Sequence, residues 1–175
     1  MKGFGGSYPR AAIAALVLLA AGPILADDGA GARPKLKIAF FGFELINTSI
    51  DPTHDAELRR IGLIGDELTK LLAGSGRYEV VSLTDALKQK IISSSNITGC
   101  NGCQLDYARE AGADIAVWGT VQKVSNLILN ENLYMDDAKT GASYFGRSVD
   151  IRGNTDESWM RGIRYLVKNY LLIER

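Results

Sequence analysis

Residues 36–43, LKIAFFGF, form an almost unbroken apolar run in which Gly42 is the one turn-former, the pattern of a strand buried on both faces of a parallel or mixed sheet. After a polar stretch, Asp51-Pro52 offers a helix cap followed by proline at the first helical position. Leu58, Ile61, Gly65, Leu68 and Leu72 then recur at helical spacing and face one side, and Gly74-Ser75-Gly76 stops the run. Residues 78–83, YEVVSL, read as a second strand. The segment between the two strands is long enough for a crossover helix, so the pair is predicted to be a parallel βαβ unit. Thr84 caps a short helix reaching Ile92, SSSNITGCNGC is a loop by composition, and residues 104–111 form a second crossover helix ended by Gly112. Residues 114–124, DIAVWGTVQKV, make the third strand.

From there the pattern turns antiparallel. Residues 127–135 form a strand, DDAKTG at 136–141 a polar turn, and residues 142–151 the returning strand of a hairpin. Asn154 with Glu157 three positions on reads as a capping box, after which Trp159, Ile163, Leu166, Val167 and Tyr170 line one face of a closing helix. The order β-α-β-α-β-β-β-α predicts an α/β fold with an α+β-like ending: a mixed five-stranded sheet with helices packed on it.

The first residues carry Lys2 and Arg10 and no acid, and the apolar segment 11–22 is too short for a bilayer core, which takes about 20 apolar residues as a helix. With Pro23 and a small-residue ending at Ala26, residues 1–26 read as a secretory signal peptide cleaved after Ala26, residues 27–35 as a flexible lead-in, and residues 36–175 as a single domain. The expected compartment is the periplasm, with nothing spanning the membrane after cleavage. Removing residues 1–26 takes Lys2 and Arg10 from the 20 basic side chains and nothing from the 20 acids, so the remaining chain has a net charge of −2. Such a balance has no basic stripe for nucleic acid.

Candidate chemistry is sparse. Cys100-Asn101-Gly102-Cys103 sits in a loop before a helix, and in an oxidising compartment two cysteines this close are expected to pair. Three readings stand for them: a structural disulfide, a redox pair activated by the helix amino terminus, or half of a tetrahedral metal shell. A thioredoxin-type site would have a proline downstream facing the sulfurs, and the last proline is Pro52. His54, the one histidine, falls at a helix start and reads as solvated. The acids Asp136, Asp137, Asp150, Asp156 and Glu157 have ordinary work in turns and at helix starts. Neither a phosphate loop nor a dinucleotide fingerprint occurs, and no cofactor or metal is expected. The hairpin is the other candidate: Asn130, Asn132, Tyr134, Tyr144 and Arg147 would give a polar strand face with aromatics, either solvated or docking a partner.

The segments FxFELINTS (from Phe41), CNGC and DIRGNTDESW (from Asp150) resemble a domain-of-unknown-function family of secreted proteobacterial proteins, a likeness covering about residues 36–172. A broader resemblance is to the amino-terminal domain of TolB and to CsgG-like and LpoB-like periplasmic domains. It rests on the FxF segment, on Ala113-Asp114-Ile115-Ala116-Val117-Trp118-Gly119, and on Asp137-Ala138-Lys139-Thr140-Gly141 at the hairpin turn. Those domains bind other envelope proteins, so the resemblance implies a non-catalytic accessory or adaptor with an envelope protein as partner. A thiol-disulfide redox protein built on Cys100 and Cys103 and a small-molecule binding module are the alternatives.

Overall fold

The computed structural model describes residues 1–3, 5, 6, 34–94 and 96–173. The expected signal peptide and lead-in lie almost wholly outside these residues. Strand β1 (Leu36–Asn47) is followed by helix α1 (Asp55–Gly74), β2 (Tyr78–Val80), α2 (Asp85–Ser93), α3 (Cys103–Glu110), β3 (Ile115–Lys123), β4 (Ile128–Asp137), β5 (Ser143–Arg152) and α4 (Asp156–Leu166). The five strands make one mixed sheet in the order β2-β1-β3-β4-β5, with β1 parallel to β2 and β3 and the β3-β4-β5 meander antiparallel.

β1 owes its length to a bulge. Register with β3 slips between Phe40 and Phe43, where Gly42 takes φ +94°, a conformation side chains with a Cβ rarely adopt. The extra residue puts Phe40 and Phe43, three positions apart, on the same side, with their rings edge to face at 5.7 Å. Phe43 in turn lies over Gly119 of β3, where a Cβ would collide with its ring. Ala39 and Phe41 face the other way.

Two helix layers cover the sheet unequally. On one side α1 and α4 bury Ile38, Ile64, Leu68, Leu72, Val117, Val121, Leu129, Leu133, Trp159 and Ile163 in the main core. On the other, α2 and α3 pack over β1 and β3 through Ala39, Leu87, Tyr107, Ala108 and Ala116. They stop there, so among the described residues no helix lies on the outer half of that side.

Several boundaries differ from the sequence reading. Helix α1 begins at Asp55 with His54 as N-cap, because Asn47 and Ser49 hold the chain through Asp51 in a turn: Asn47 Nδ2 donates to the Asp51 carbonyl at 2.8 Å. Pro52 is therefore in the loop, and the stripe shifts so that Glu57 and Ile64 are buried while Leu58 is 58% exposed. The second strand ends at Val80, although the Val81 N–H still donates to the Ile38 carbonyl of β1 at 2.9 Å. The N-cap of α4 is Thr155, whose Oγ1 accepts from the Ser158 N–H at 3.2 Å; Asn154 is drawn away into other bonds. A π turn at Val167–Leu171 then brings Leu171 into the core and leaves Tyr170 41% exposed. The remaining elements lie within a few residues of their predicted places, Thr84 capping α2 by accepting from the Leu87 N–H at 3.2 Å.

Candidate partner-binding face

Alternation along β4 sends Leu129, Glu131, Leu133 and Met135 toward the α1 and α4 layer and Asn130, Asn132, Tyr134 and Asp136 to the uncovered side. Register with β3 sets Gln122 opposite Asn130, Thr120 opposite Asn132 and Trp118 opposite Tyr134. The Trp118 and Tyr134 rings stack, with centroids 5.5 Å apart. Asn132 Nδ2 donates to Thr120 Oγ1 at 3.0 Å and to Asn130 Oδ1 at 2.8 Å, which fixes the amides across the two strands. β5 adds Ser148 and Asp150 opposite Asn132 and Asn130.

At one border of this face stands α3. Its Gln104 Nε2 lies 3.5 Å from Asp136 Oδ2, and burial pushes the Asp136 carboxyl up despite that contact. The Cys100 and Cys103 sulfurs are bonded at 1.95 Å, with Cys103 as the first residue of α3 and packed against the cluster that includes Tyr107 and Trp118. Asp137 closes the hairpin turn: its Oδ1 accepts from the Lys139 and Thr140 N–H groups at 3.0 and 2.7 Å, and the Thr140 bonds hold the carboxyl below its usual range.

The five hairpin residues singled out in the sequence are not one group. Asn130, Asn132 and Tyr134 share the open face. Arg147 belongs to the phase of Val149 and Ile151 and lines a cavity with Tyr170 on the helix side. Tyr144 falls where the β4–β5 register slips, and its phenol neighbours Tyr78, whose own phenol is pushed up first by burial and then by Tyr144. Sequence reasoning missed Trp118, Thr120 and Gln122 as members of the face. Their alternation with Val117, Val121 and Lys123 in β3 was the available signal.

A second polar group lies inside the covered side, where the β1–α1 loop, the end of β3 and the start of α4 meet. Lys123 Nζ is 2.7 Å from Glu57 Oε1, and both residues are 0% exposed. Glu57 Oε2 accepts the His54 N–H at 2.9 Å, and Asn154 Nδ2 donates to Glu57 Oε1 at 2.5 Å. Burial works against the Glu57 anion, but Lys123, the His54 amide and Asn154 together hold the carboxyl below its usual value. Asn154 Oδ1 accepts from Trp159 Nε1 and Arg60 Nη1, each at 3.1 Å, and its amide also reaches Asn126. Thr48 of FELINTS donates its N–H and Oγ1 hydroxyl to the Lys123 carbonyl at 2.9 and 3.1 Å, so that segment and DIRGNTDESW meet at this network. His54 itself is exposed. Nearby, Glu131 is also 0% exposed, no hydrogen bond reaches either oxygen, and burial pushes its carboxyl up to about 9. Sealed from solvent, these groups serve packing rather than a substrate.

Among the described residues no group of three or more His, Cys, Asp or Glu side chains is placed to hold a metal ion, and no helix is long and apolar enough to cross a membrane.

A family model described as "Protein of unknown function (DUF2380)", under the name DUF3280, matches residues 36–171. No curated protein matches the chain in sequence. Among solved structures, the chain is similar to lipoprotein GNA1162 from Neisseria meningitidis, at 15% identity over 77% of this chain and 94% of that one, with a TM-score of 0.52. It is also similar to the LpoB C-terminal domain from Salmonella enterica (16% identity, 71% and 87% covered, TM-score 0.50) and from Escherichia coli (17%, 73% and 88%, 0.50). At these identities the likeness is one of fold.

Proposed function

This chain belongs to the DUF3280 family, and we propose that it is a non-catalytic accessory or adaptor protein of the periplasm that binds another envelope protein through the open face of β3, β4 and β5. The observation that carries the reading is that face itself. Asn130, Asn132 and Tyr134 of β4 stand half-exposed with no helix over them among the described residues, braced from β3 by Thr120 and by Trp118, which borders the α2–α3 cluster. Aromatic and amide groups held in place before contact suit a protein interface, since less side-chain freedom is lost on binding. The likeness to LpoB-like domains noted in the sequence points the same way. Reversible crosslinking of the exported protein, followed by pull-down, tests it: a discrete envelope partner is expected with wild-type protein and lost with Asn132→Lys, a change that leaves the main core untouched. Recovery of the same partner by both proteins would remove the face from the account.

A second reading, thiol-disulfide exchange, draws on Cys103 opening α3, where a helix amino terminus favours a thiolate. Turnover in an insulin-reduction assay that disappears in Cys103→Ser would support it. No turnover above the Cys103→Ser background would dismiss it.

A further inference from the structure

The strand order leaves two sheet edges, β2 with three residues and β5 with ten. Two cavities lie along β5. The larger, about 590 Å³, is lined by residues 148–152 and by Ser158, Arg161, Gly162 and Tyr165 of α4; the smaller, about 290 Å³, is lined by residues 143–147, and Tyr170 borders both. Successive side chains of a strand point to opposite faces, so a cavity lined by every residue in turn runs along the strand's edge. The two cavities therefore form one trough over the whole length of β5. Its far wall is a helical stripe, residues 158, 161, 162 and 165. Gly162 sets that wall close: a Cβ there would stand 2.5 Å from Glu131 Oε2 and Ile151 Cγ2, so only glycine lets α4 settle this near the sheet.

We propose that this trough receives an extended, acidic segment of a partner protein as a sixth strand on β5. Strand addition draws affinity from main-chain hydrogen bonds along a free edge and selectivity from the side chains beside it. The residues that line the two cavities include Arg147, Arg152 and Arg161 and one acid, Asp150, with Glu157 standing outside them beside Arg161. The nearest carboxylate to Arg161, on Glu157, is 3.9 Å away, and the Arg161 side chain is 70% exposed, which leaves the guanidinium open to an incoming carboxylate. Tyr165 and Tyr170, edge to face at 5.8 Å, add half-exposed amphipathic surface of the kind enriched at interfaces. A second copy of this chain would bring the same excess of arginine to the edge, so like charges oppose self-pairing. An acidic strand meets no such opposition. This surface adjoins the open face along β5, where Ser148 and Asp150 border both, and neither proposal depends on the other.

The probe is a ten-residue peptide alternating valine and glutamate, with blocked ends, added to the purified protein and followed by fluorescence anisotropy and backbone amide NMR. Binding is expected, with shifts centred on residues 143–152. The valine–lysine counterpart should bind at least about tenfold more weakly. N-methylation of one alternating set of peptide amides should abolish binding while the other set leaves it intact, because an added strand bonds through one edge only. Arg161→Glu should weaken binding by a similar factor with its thermal unfolding unchanged, and Asn132→Ala on the open face should not affect it. Failure of the glutamate peptide to bind, equal behaviour of the two methylated sets, or shifts confined to residues 118–122 and 130–136 would overturn the proposal.

Discussion

On the side that α1 and α4 cover, Leu129, Leu133 and Met135 of β4 are wholly buried, whereas the alternate residues Asn130, Asn132 and Tyr134 of the same strand stay half-exposed on the other. The backbone is shared; what differs is the layer above it. Each apolar side chain sealed under a helix contributes on the order of 1.5–3 kcal/mol, and that covered side also encloses Glu57, Lys123 and Glu131, groups that no solvent reaches. On the open side Asn132 is bonded to Thr120 and Asn130, and the Tyr134 ring stays half-exposed beside them. Stability and recognition are thus divided between two phases of one strand, and substitutions in each phase should have separable effects.

Lys123→Met gives the largest expected loss. It leaves the Glu57 carboxylate buried without its cation, which costs about 3–5 kcal/mol in denaturant unfolding at pH 7. The same pair predicts an acid limb. Because the Glu57 carboxyl is held below 4.5 in the folded state, its contribution is present above the unfolded value and is lost as pH falls through the lowered one. The stability difference between wild type and Glu57→Gln should therefore shrink toward pH 3.

Glu131 works with the opposite sign. Its carboxyl is raised from 4.5 to about 9, so its burial costs nothing extra below pH 4.5 and progressively more as pH climbs toward 9. Glu131→Met should match or exceed wild-type stability at neutral pH, by up to about 3 kcal/mol at pH 7. The gap should narrow to a small residue at pH 4.5. A gap independent of pH would show that the carboxyl is not buried as an acid.

Removing the disulfide with Cys100→Ser and Cys103→Ser should cost about 2 kcal/mol, the loop-closure effect of so short a span. Asn132→Ala, on the open face, should move stability by no more than about 0.5 kcal/mol, as surface substitutions usually do. Its effect belongs to partner binding.

Most of the architecture was legible in the sequence because period-2 and helical spacings are set by backbone geometry: the βαβ start, the hairpin and the closing helix follow from where Val, Ile and Leu recur. What was not legible depends on contacts far apart in the chain. Asn154 has the spacing of an N-cap, yet Glu57, Asn126 and Trp159 claim its side chain, and the cap passes to Thr155. Tyr170 follows the helical stripe until the π turn exchanges it for Leu171. Glu131 stands in the apolar phase of β4 between Leu129 and Leu133, and that misplaced carboxyl was readable as a buried one. For the site, Asn130, Asn132 and Tyr134 were legible from alternation, but the bulge at Tyr144 and the phase of Arg147 send those two elsewhere. The contribution of β3, through Trp118, Thr120 and Gln122, needed the register.

Site-specific photo-crosslinking in living cells tests docking on the open face most directly, with a photoreactive side chain placed at Gln122 or Asn130 on that face and at Asp66 or Lys70 on the exposed flank of α1. Discrete adducts with one envelope protein from the open-face positions, and none from α1, are predicted. Equal labelling from both sets, or no adduct from the open face, would contradict the account.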